Sequence, residues 1–204
     1  MEYSFDKERH IHFLDGSPVP GVTSIIDAAG LVSSFCKNEA AAERGRNGHL
    51  LCQLVYSGEK LSWNIPKVSL PWIIAIERFV EEQKIVPSQI EFPVWSKLGY
   101  AGIPDLLTED LTLFDNKFWS SINKQSLGNA GLQTVGYSLA INESYGIRVR
   151  KRAVVIFNID KARPYTIRYL NDPADKPNFL SCLNVLKLRA KYEKFNFSDD
   201  SKED

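Results

Sequence analysis

Two short apolar blocks near the middle of the chain set its pattern. Tyr100-Ala101-Gly102-Ile103-Pro104-Asp105-Leu106-Leu107 and Leu111-Thr112-Leu113-Phe114-Asp115-Asn116-Lys117-Phe118 are rich in leucine, aromatic and β-branched residues. Joined at Thr108-Glu109-Asp110, they predict two antiparallel strands. Around them the spacing changes repeatedly. Residues 3–24 predict a β-hairpin: Ile11 to Leu14 alternates, Asp15-Gly16 is a turn, and an apolar run resumes from Val19 to Ile26. Ser34 to Tyr56 has helical spacing, with Leu50, Leu51, Leu54 and Val55 among its apolar positions. Gly58 to Pro71 reads as a loop, and Trp72 to Val86 as a second helix with Ile73, Ile76, Phe79 and Val80 in the core. Ile90 to Trp95 predicts a strand carrying Glu91.

The second half continues the alternation. A polar connection from Ser120 to Asn129 leads into a helix that runs to about Ser144. Ala153-Val154-Val155-Ile156-Phe157 is a continuous apolar run, as a buried central strand requires, and Tyr165 to Tyr169 predicts another strand. Asn178 to Phe195 closes the chain as an amphipathic helix, with Leu180, Leu183, Leu186 and Leu188 inward. Strands and helices interleaved in this way predict an α/β fold with a mixed central sheet flanked by helices.

Length and composition narrow the picture. At 204 residues the chain suits one domain, expected over 1–197, followed by an acidic, disordered tail over 198–204. Basic and acidic residues number 25 each. The tail takes four acids and one lysine, so the body carries 24 basic against 21 acidic residues, which leaves room for a local basic groove. Cys36, Cys52 and Cys182 are few and far apart, which points to a reducing compartment and away from a cysteine-built metal site. No run reaches membrane-spanning length and no signal opens the chain, so a cytoplasmic protein is expected.

Asp105, Asp115 and Lys117 then stand out, because charges inside apolar strands are costly unless compensated. If Leu107 opposes Leu111 across a three-residue turn, odd-numbered residues of both strands share a face and the three charges converge. A one-residue slip would separate them. Two carboxylates and an ammonium on one face suit a hard divalent cation and attack of water on a phosphodiester. Asp-x-Lys alone says little, since Glu82-Gln83-Lys84 and Asp200-Ser201-Lys202 have the same form without strand context. By residue type, His49 is either a packed core histidine or a ligand that would tilt the site toward manganese. Gly45 and Gly48 inside the same helix each cost about 1 kcal/mol and call for a reason, such as close approach of another backbone or a break in the helix. Glu91 either completes the carboxylate set or faces solvent. Gln133 and Tyr137, four apart, share a helix face. His10 and His12 fall on a short strand expected to be exposed, and Arg148, Arg150, Lys151 and Arg152 could meet phosphates or be merely solvated.

Taken together, Gly102-Ile103-Pro104-Asp105, Asp115-Asn116-Lys117 and Gln133-Thr134-Val135-Gly136-Tyr137 resemble the motifs of the PD-(D/E)XK nuclease superfamily, in particular its RecB-like, phage-type exonuclease branch. That branch has an upstream Gly-x-x-x-His, matched by Gly45-Arg46-Asn47-Gly48-His49, and the stretch Val19 to Ile26 resembles the opening of phage and mitochondrial genome maintenance exonucleases. The resemblance covers roughly residues 10–170. It implies that His49, Asp105, Asp115 and the Asn116 carbonyl bind Mg²⁺ or Mn²⁺, with Glu91 as an additional candidate. It implies that Lys117 orients the attacking water, that Gln133 and Tyr137 hold Lys117 and the scissile phosphate, and that Arg44, Arg46 and Tyr137 contact DNA. Phe118 stands where relatives often carry Thr or Ser, so that DNA contact is not carried over. The cysteines of iron–sulfur relatives are missing, so no cluster is expected. The implied activity is a metal-dependent exodeoxyribonuclease acting on single strands or DNA ends. Its setting would be recombination, repair or phage DNA metabolism in a bacterial or phage-infected cell, alongside a recombination partner. A structure-specific endonuclease and a non-catalytic DNA-binding protein on the same fold are the alternatives.

Overall fold

The computed structural model describes residues 1–31, 39–59 and 66–193. The expected helix start at Ser34, part of the Gly58–Pro71 loop, Cys36 and the acidic tail lie outside the described residues.

The chain opens with three antiparallel strands, β1 (Tyr3–Asp6), β2 (Ile11–Leu14) and β3 (Ser17–Val19). Leu14 opposes Ser17 across a two-residue loop, and Asp15 and Gly16 both have positive φ, at 49° and 76°. Two such residues give the hairpin turn whose twist matches its strands. The expected hairpin is therefore present, but its second strand stops at Val19. Beyond Pro20-Gly21 the apolar run becomes α1 (Val22–Ala28), in which Val22, Ile25 and Ile26 are buried. Spacing of three and four residues is helical, and Pro20 cannot donate to a ladder.

Helix α2 (Glu39–Tyr56), a short 3₁₀ turn (Lys67–Ser69) and α3 (Leu70–Gln83) follow, with Ile73, Ile76 and Phe79 of α3 in the core as expected. The expected strand Ile90–Trp95 is in fact two. β4 (Pro87–Ile90) ends at Glu91, whose φ is 45°, and β5 (Val94–Ser96) begins after Pro93. The block from Tyr100 to Leu107 divides in the same way into β6 (Tyr100–Gly102) and β7 (Leu106–Thr108). β5 pairs with β6 in a small sheet, while β4 pairs with β7 in the main one. Pro104 has no N–H and the backbone at Glu91 is left-handed, so both strands leave the main sheet at one corner.

The main sheet is completed by β8 (Thr112–Lys117), β9 (Lys151–Phe157) and β10 (Tyr165–Tyr169), in the order β10-β9-β8-β7-β4. β8 and β9 are parallel and the other neighbours antiparallel, so the sheet is mixed as expected. The parallel step requires a crossover, which α4 (Lys124–Tyr145) provides. It begins earlier than expected because the Asn123 side chain caps it, accepting from the Ser126 N–H at 2.7 Å. α5 (Asp175–Glu193) ends the described chain, with Leu183 and Leu186 buried but Leu188 54% exposed, against expectation.

The sheet faces differ in cover. Leu107 and Leu113 lie in the core made with α1, α4 and α5; Leu106, Phe114, Phe118, Ala153, Val155 and Phe157 pack with α2 and α3. This two-sided cover explains why β9 reads as an unbroken apolar run. No helix among the described residues is long and apolar enough to cross a membrane.

Candidate active site

The hairpin between β7 and β8 settles the parity on which the site depends. Leu107 opposes Leu113 and Leu106 opposes Phe114. The loop has three residues, but they are Glu109-Asp110-Leu111, one step later than expected, so the register moves by two and odd still faces odd. Thr108 makes the later turn favourable. Its carbonyl accepts from the Leu111 N–H at 2.9 Å, and its hydroxyl takes the Thr112 N–H at 3.1 Å. Leu111 carries the left-handed residue of a three-residue hairpin, with φ 63°. Continued by one residue, the register sets Asp105 opposite Asp115.

Asp115 and Lys117 point to the α4 side of the sheet, Asp115 almost wholly buried. Lys117 Nζ lies 3.1 Å from Asp115 Oδ1 and 2.9 Å from Oδ2, and donates to Gln133 Oε1 at 3.0 Å. Gln133 Nε2 in turn reaches the Tyr137 hydroxyl at 3.3 Å. The i,i+4 spacing on α4 thus becomes a chain from Asp115 through Lys117 and Gln133 to Tyr137. Tyr137 is buried, which pushes its phenol far up and keeps it neutral, and Thr23 also hydrogen-bonds it. Its ring lies where a Cβ on Gly102 would come within 2.5 Å, so only glycine there lets it pack on β6. Tyr137, expected at the DNA, is 7% exposed, and its hydroxyl accepts from Gln133 Nε2.

On the other side of Asp105 stand His49 and Glu91. His49 Nδ1 is 3.4 Å from Asp105 Oδ1 and 3.8 Å from Glu91 Oε1, and the ligand atoms of these three residues all lie within 4.8 Å of one another. Glu91 reaches this cluster because of the corner: its N–H donates to the Asp105 carbonyl at 3.0 Å. Asp105 Oδ2 accepts the Asn116 N–H, tying the cluster to β8. The Asn116 side chain points the opposite way, its Oδ1 accepting from the buried Tyr56 hydroxyl at 3.0 Å. Tyr56 stands seven residues after His49, two turns along the same face of α2, a spacing that could have singled it out in the sequence.

The electrostatics follow from this crowding. Asp105 raises the His49 imidazole to about 10 against the opposing effect of burial. Burial raises the Asp105 carboxyl, but His49 and Lys117 outweigh it and hold it below the ordinary range. For Asp115 burial prevails over Lys117, pushing its carboxyl up to about 6. Burial also raises Glu91, with His49 opposing.

The donor set fits a divalent cation. Two carboxylates and one imidazole in close range are hard and borderline ligands of the kind Mg²⁺ and Mn²⁺ accept. Asp115 Oδ2 is buried with Lys117 beside it but no donor in hydrogen-bonding geometry, leaving acceptor capacity beside the cluster. Of the expected ligands His49, Asp105, Asp115 and Asn116, with Glu91 as a further candidate, the trio gathered within 4.8 Å is His49, Asp105 and Glu91, with Asp115 beside Lys117. The sequence left Glu91 open because its role depends on a strand break.

Phe118, the departure from the motif, has a structural place. It is 5% exposed, stacked on Phe157 at 5.4 Å and edge-on to Trp72 and His49 at 5.5 and 5.7 Å. A Cβ on Gly48 would meet its ring at 2.4 to 2.5 Å, so that glycine is what lets α2 lie against β8. Gly45, the motif glycine, has nothing within 4 Å of such a Cβ. Arg44 donates from Nε to the Phe118 carbonyl at 3.1 Å, one residue beyond Lys117, whereas Arg46 pairs with Glu39 at an exposed position. His10 and His12 are elsewhere. His12, expected to be exposed, is buried, bonded to the Tyr3 hydroxyl at 2.9 Å and stacked on Phe5.

No protein-family model and no curated protein matches the chain. Among solved structures, it is similar to a provisionally assigned exonuclease from Eubacterium rectale, with 11% identity over 84% of this chain and 74% of that one, at a TM-score of 0.53. Two further matches are the alkaline exonuclease LHK-Exo from Laribacter hongkongensis (14% identity, 85% and 93% covered, TM-score 0.40) and that protein in complex with dAMP (15%, 86% and 94%, 0.39). The mixed sheet, its helical layers and the likeness to the Eubacterium rectale structure give this chain the fold of the PD-(D/E)XK nucleases.

Proposed function

We propose that this protein is a Mg²⁺- or Mn²⁺-dependent deoxyribonuclease that hydrolyses phosphodiester bonds, as an exonuclease on single strands or DNA ends. The observation that carries this reading is Lys117, held between Asp115 and Gln133 beside the His49–Glu91–Asp105 cluster. An ion held by His49, Glu91 and Asp105, with Asp115 adjacent, would supply electrophilic stabilisation of the charge that builds on phosphate oxygens. The chain's own groups do the rest. A lysine ammonium has three N–H donors, and two of those of Lys117 are taken by Asp115 Oδ1 and Gln133 Oε1. The third is left to orient a water for in-line attack on phosphorus, and the cation offsets negative charge in the transition state. Gln133 and Tyr137 act as positioning residues, fixing the Nζ rather than touching the phosphate. Water adds to phosphorus as the P–O bond to the leaving nucleotide breaks. We place this activity in the cytoplasm, in recombination, repair or phage DNA metabolism, with a recombination partner.

The test is degradation of end-labelled single-stranded and duplex DNA with Mg²⁺, Mn²⁺ or chelator. Wild type should release labelled product only with metal, and Lys117→Ala should lose at least about 10³-fold in rate while keeping its circular dichroism spectrum. Cleavage by the variant at the wild-type rate would sink the assignment. Binding without cleavage by wild type would support a protein that only holds DNA.

A further inference from the structure

We infer that Tyr56 is a positioning residue for the metal centre: through the buried Asn116 side chain it fixes the strand residue whose N–H holds Asp105. This role rests on the metal-dependent reading of the site and falls to a side chain that stands outside the cluster.

Asn116 is out of place by polarity. It shares the face of β8 that carries Phe114 and Phe118 toward α2 and α3, and it is wholly buried there. A carboxamide in such a place costs stability unless each of its groups is paired. Its Oδ1 accepts from the Tyr56 hydroxyl at 3.0 Å, but among the described residues its Nδ2 has no hydrogen-bond partner. Packing alone would favour an apolar residue at 116, so the polar pair needs a reason other than stability.

The backbone gives that reason. In a strand the N–H and C=O of one residue point to the same flank. The Asn116 N–H donates to Asp105 Oδ2, so the Asn116 carbonyl faces the flank on which Asp105 stands. A rotation of this residue about the strand axis would therefore disturb both groups at once. The side chain is what resists it. Tyr56 is itself buried, with its ring edge-on to Phe79 at 6.4 Å. Its single hydroxyl proton goes to Asn116, which leaves the oxygen to accept from the buried Cys52 thiol. His49 and Tyr56 lie two turns apart on α2, so one helix both delivers an imidazole to the cluster and braces the strand behind its central carboxylate.

The experiment measures Mn²⁺ affinity by electron paramagnetic resonance, without DNA and well below Tm, beside calorimetry on the same proteins. Tyr56→Phe removes only the hydroxyl and should weaken Mn²⁺ binding about tenfold or more. Asn116→Val should weaken it likewise, and Tyr56→Phe/Asn116→Val no further than either single change, because the two side chains form one link. The double variant has no carboxamide left unpaired, so its Tm should recover relative to Tyr56→Phe while its Mn²⁺ affinity stays low. Ile76→Val, in the same core, should lower Tm and leave Mn²⁺ affinity unchanged. If Tyr56→Phe does not fold, the two proteins carrying Asn116→Val decide the matter. Wild-type Mn²⁺ affinity in Tyr56→Phe or Asn116→Val, or affinity that returns with Tm in the double variant, would overturn the role of Tyr56 and leave the metal site standing. Absence of Mn²⁺ binding by wild type would overturn the metal-dependent reading, and this role with it.

Discussion

Replacing Gly48 with alanine tests how helix α2 delivers His49 to the acids. The added Cβ would lie 2.4 to 2.5 Å from three atoms of the Phe118 ring, about 1 Å inside ordinary contact. The ring cannot swing aside cheaply, because Phe157 stacks on one side and Trp72 and His49 meet its edges. Overpacking of this kind costs about 1–3 kcal/mol, while alanine in a helix returns about 1 kcal/mol, so the net loss should be about 0–2 kcal/mol. In a chain of this size that lowers Tm by a few degrees. The functional loss should be larger. A retreat of α2 by about 1 Å carries His49 away from Asp105, now 3.4 Å distant, and a misplacement of that size can cost about 10²-fold in rate. Calorimetry gives the first quantity and metal-dependent cleavage of labelled DNA the second. Two controls sharpen the comparison. Gly45→Ala, whose Cβ meets nothing within 4 Å, should gain about 1 kcal/mol and keep its activity. Phe118→Leu added to Gly48→Ala removes the obstructing ring and should restore part of the rate. If Gly48→Ala is as stable and active as Gly45→Ala, the contact with Phe118 does not set the position of His49.

Other expectations concern separate parts of the molecule. Glu91→Gln should weaken Mn²⁺ binding, followed by electron paramagnetic resonance, about tenfold or more, and unaltered affinity would remove Glu91 from the site. Arg152→Ala leaves the mostly buried Asp175 carboxylate without its cation and should cost about 3 kcal/mol in urea denaturation; a loss below about 1 kcal/mol would mean the pair is not structural. His12 is buried, and burial, with His10 adding to it, lowers its imidazole from 6.5 to about 4. Between those values the unfolded chain binds the extra proton, so this stabilising contribution is full above pH 6.5 and lost as pH falls toward 4, up to about 3 kcal/mol. The difference in urea midpoint between wild type and His12→Phe should narrow across that window, and a constant difference would refute the burial argument.

Local chemistry was legible along the chain. The period of two in Leu113-Phe114-Asp115-Asn116-Lys117 put Asp115 and Lys117 on one face, and a three-residue loop brought Asp105 to the same side. That loop falls one residue later than the pattern predicts, because Thr108 serves as a strand end as readily as a turn residue. The outcome survived, since moving the register by two preserves parity. Gln133 and Tyr137 were placed on one face of a helix by their spacing, and α4 then brought that face to Lys117.

What the tertiary structure decided is where segments distant in sequence meet. Glu91 joins Asp105 because the chain leaves β4 and enters β7 at the same corner of the main sheet, and no periodicity announces a left-handed residue at the end of a strand. Phe118 stands in a polar position of the motif because its ring packs over Gly48, 70 positions earlier in the chain. Charge pairing divided Arg152, tied to Asp175, from its exposed neighbours Arg148, Arg150 and Lys151, which look alike in sequence. The sequence by itself determined which side chains share a strand or helix face, because backbone geometry repeats every two or 3.6 residues. Only the packing of α2 and α4 against the two faces of the sheet decided which of those faces meet, because contacts across the core depend on side-chain volumes that have no period.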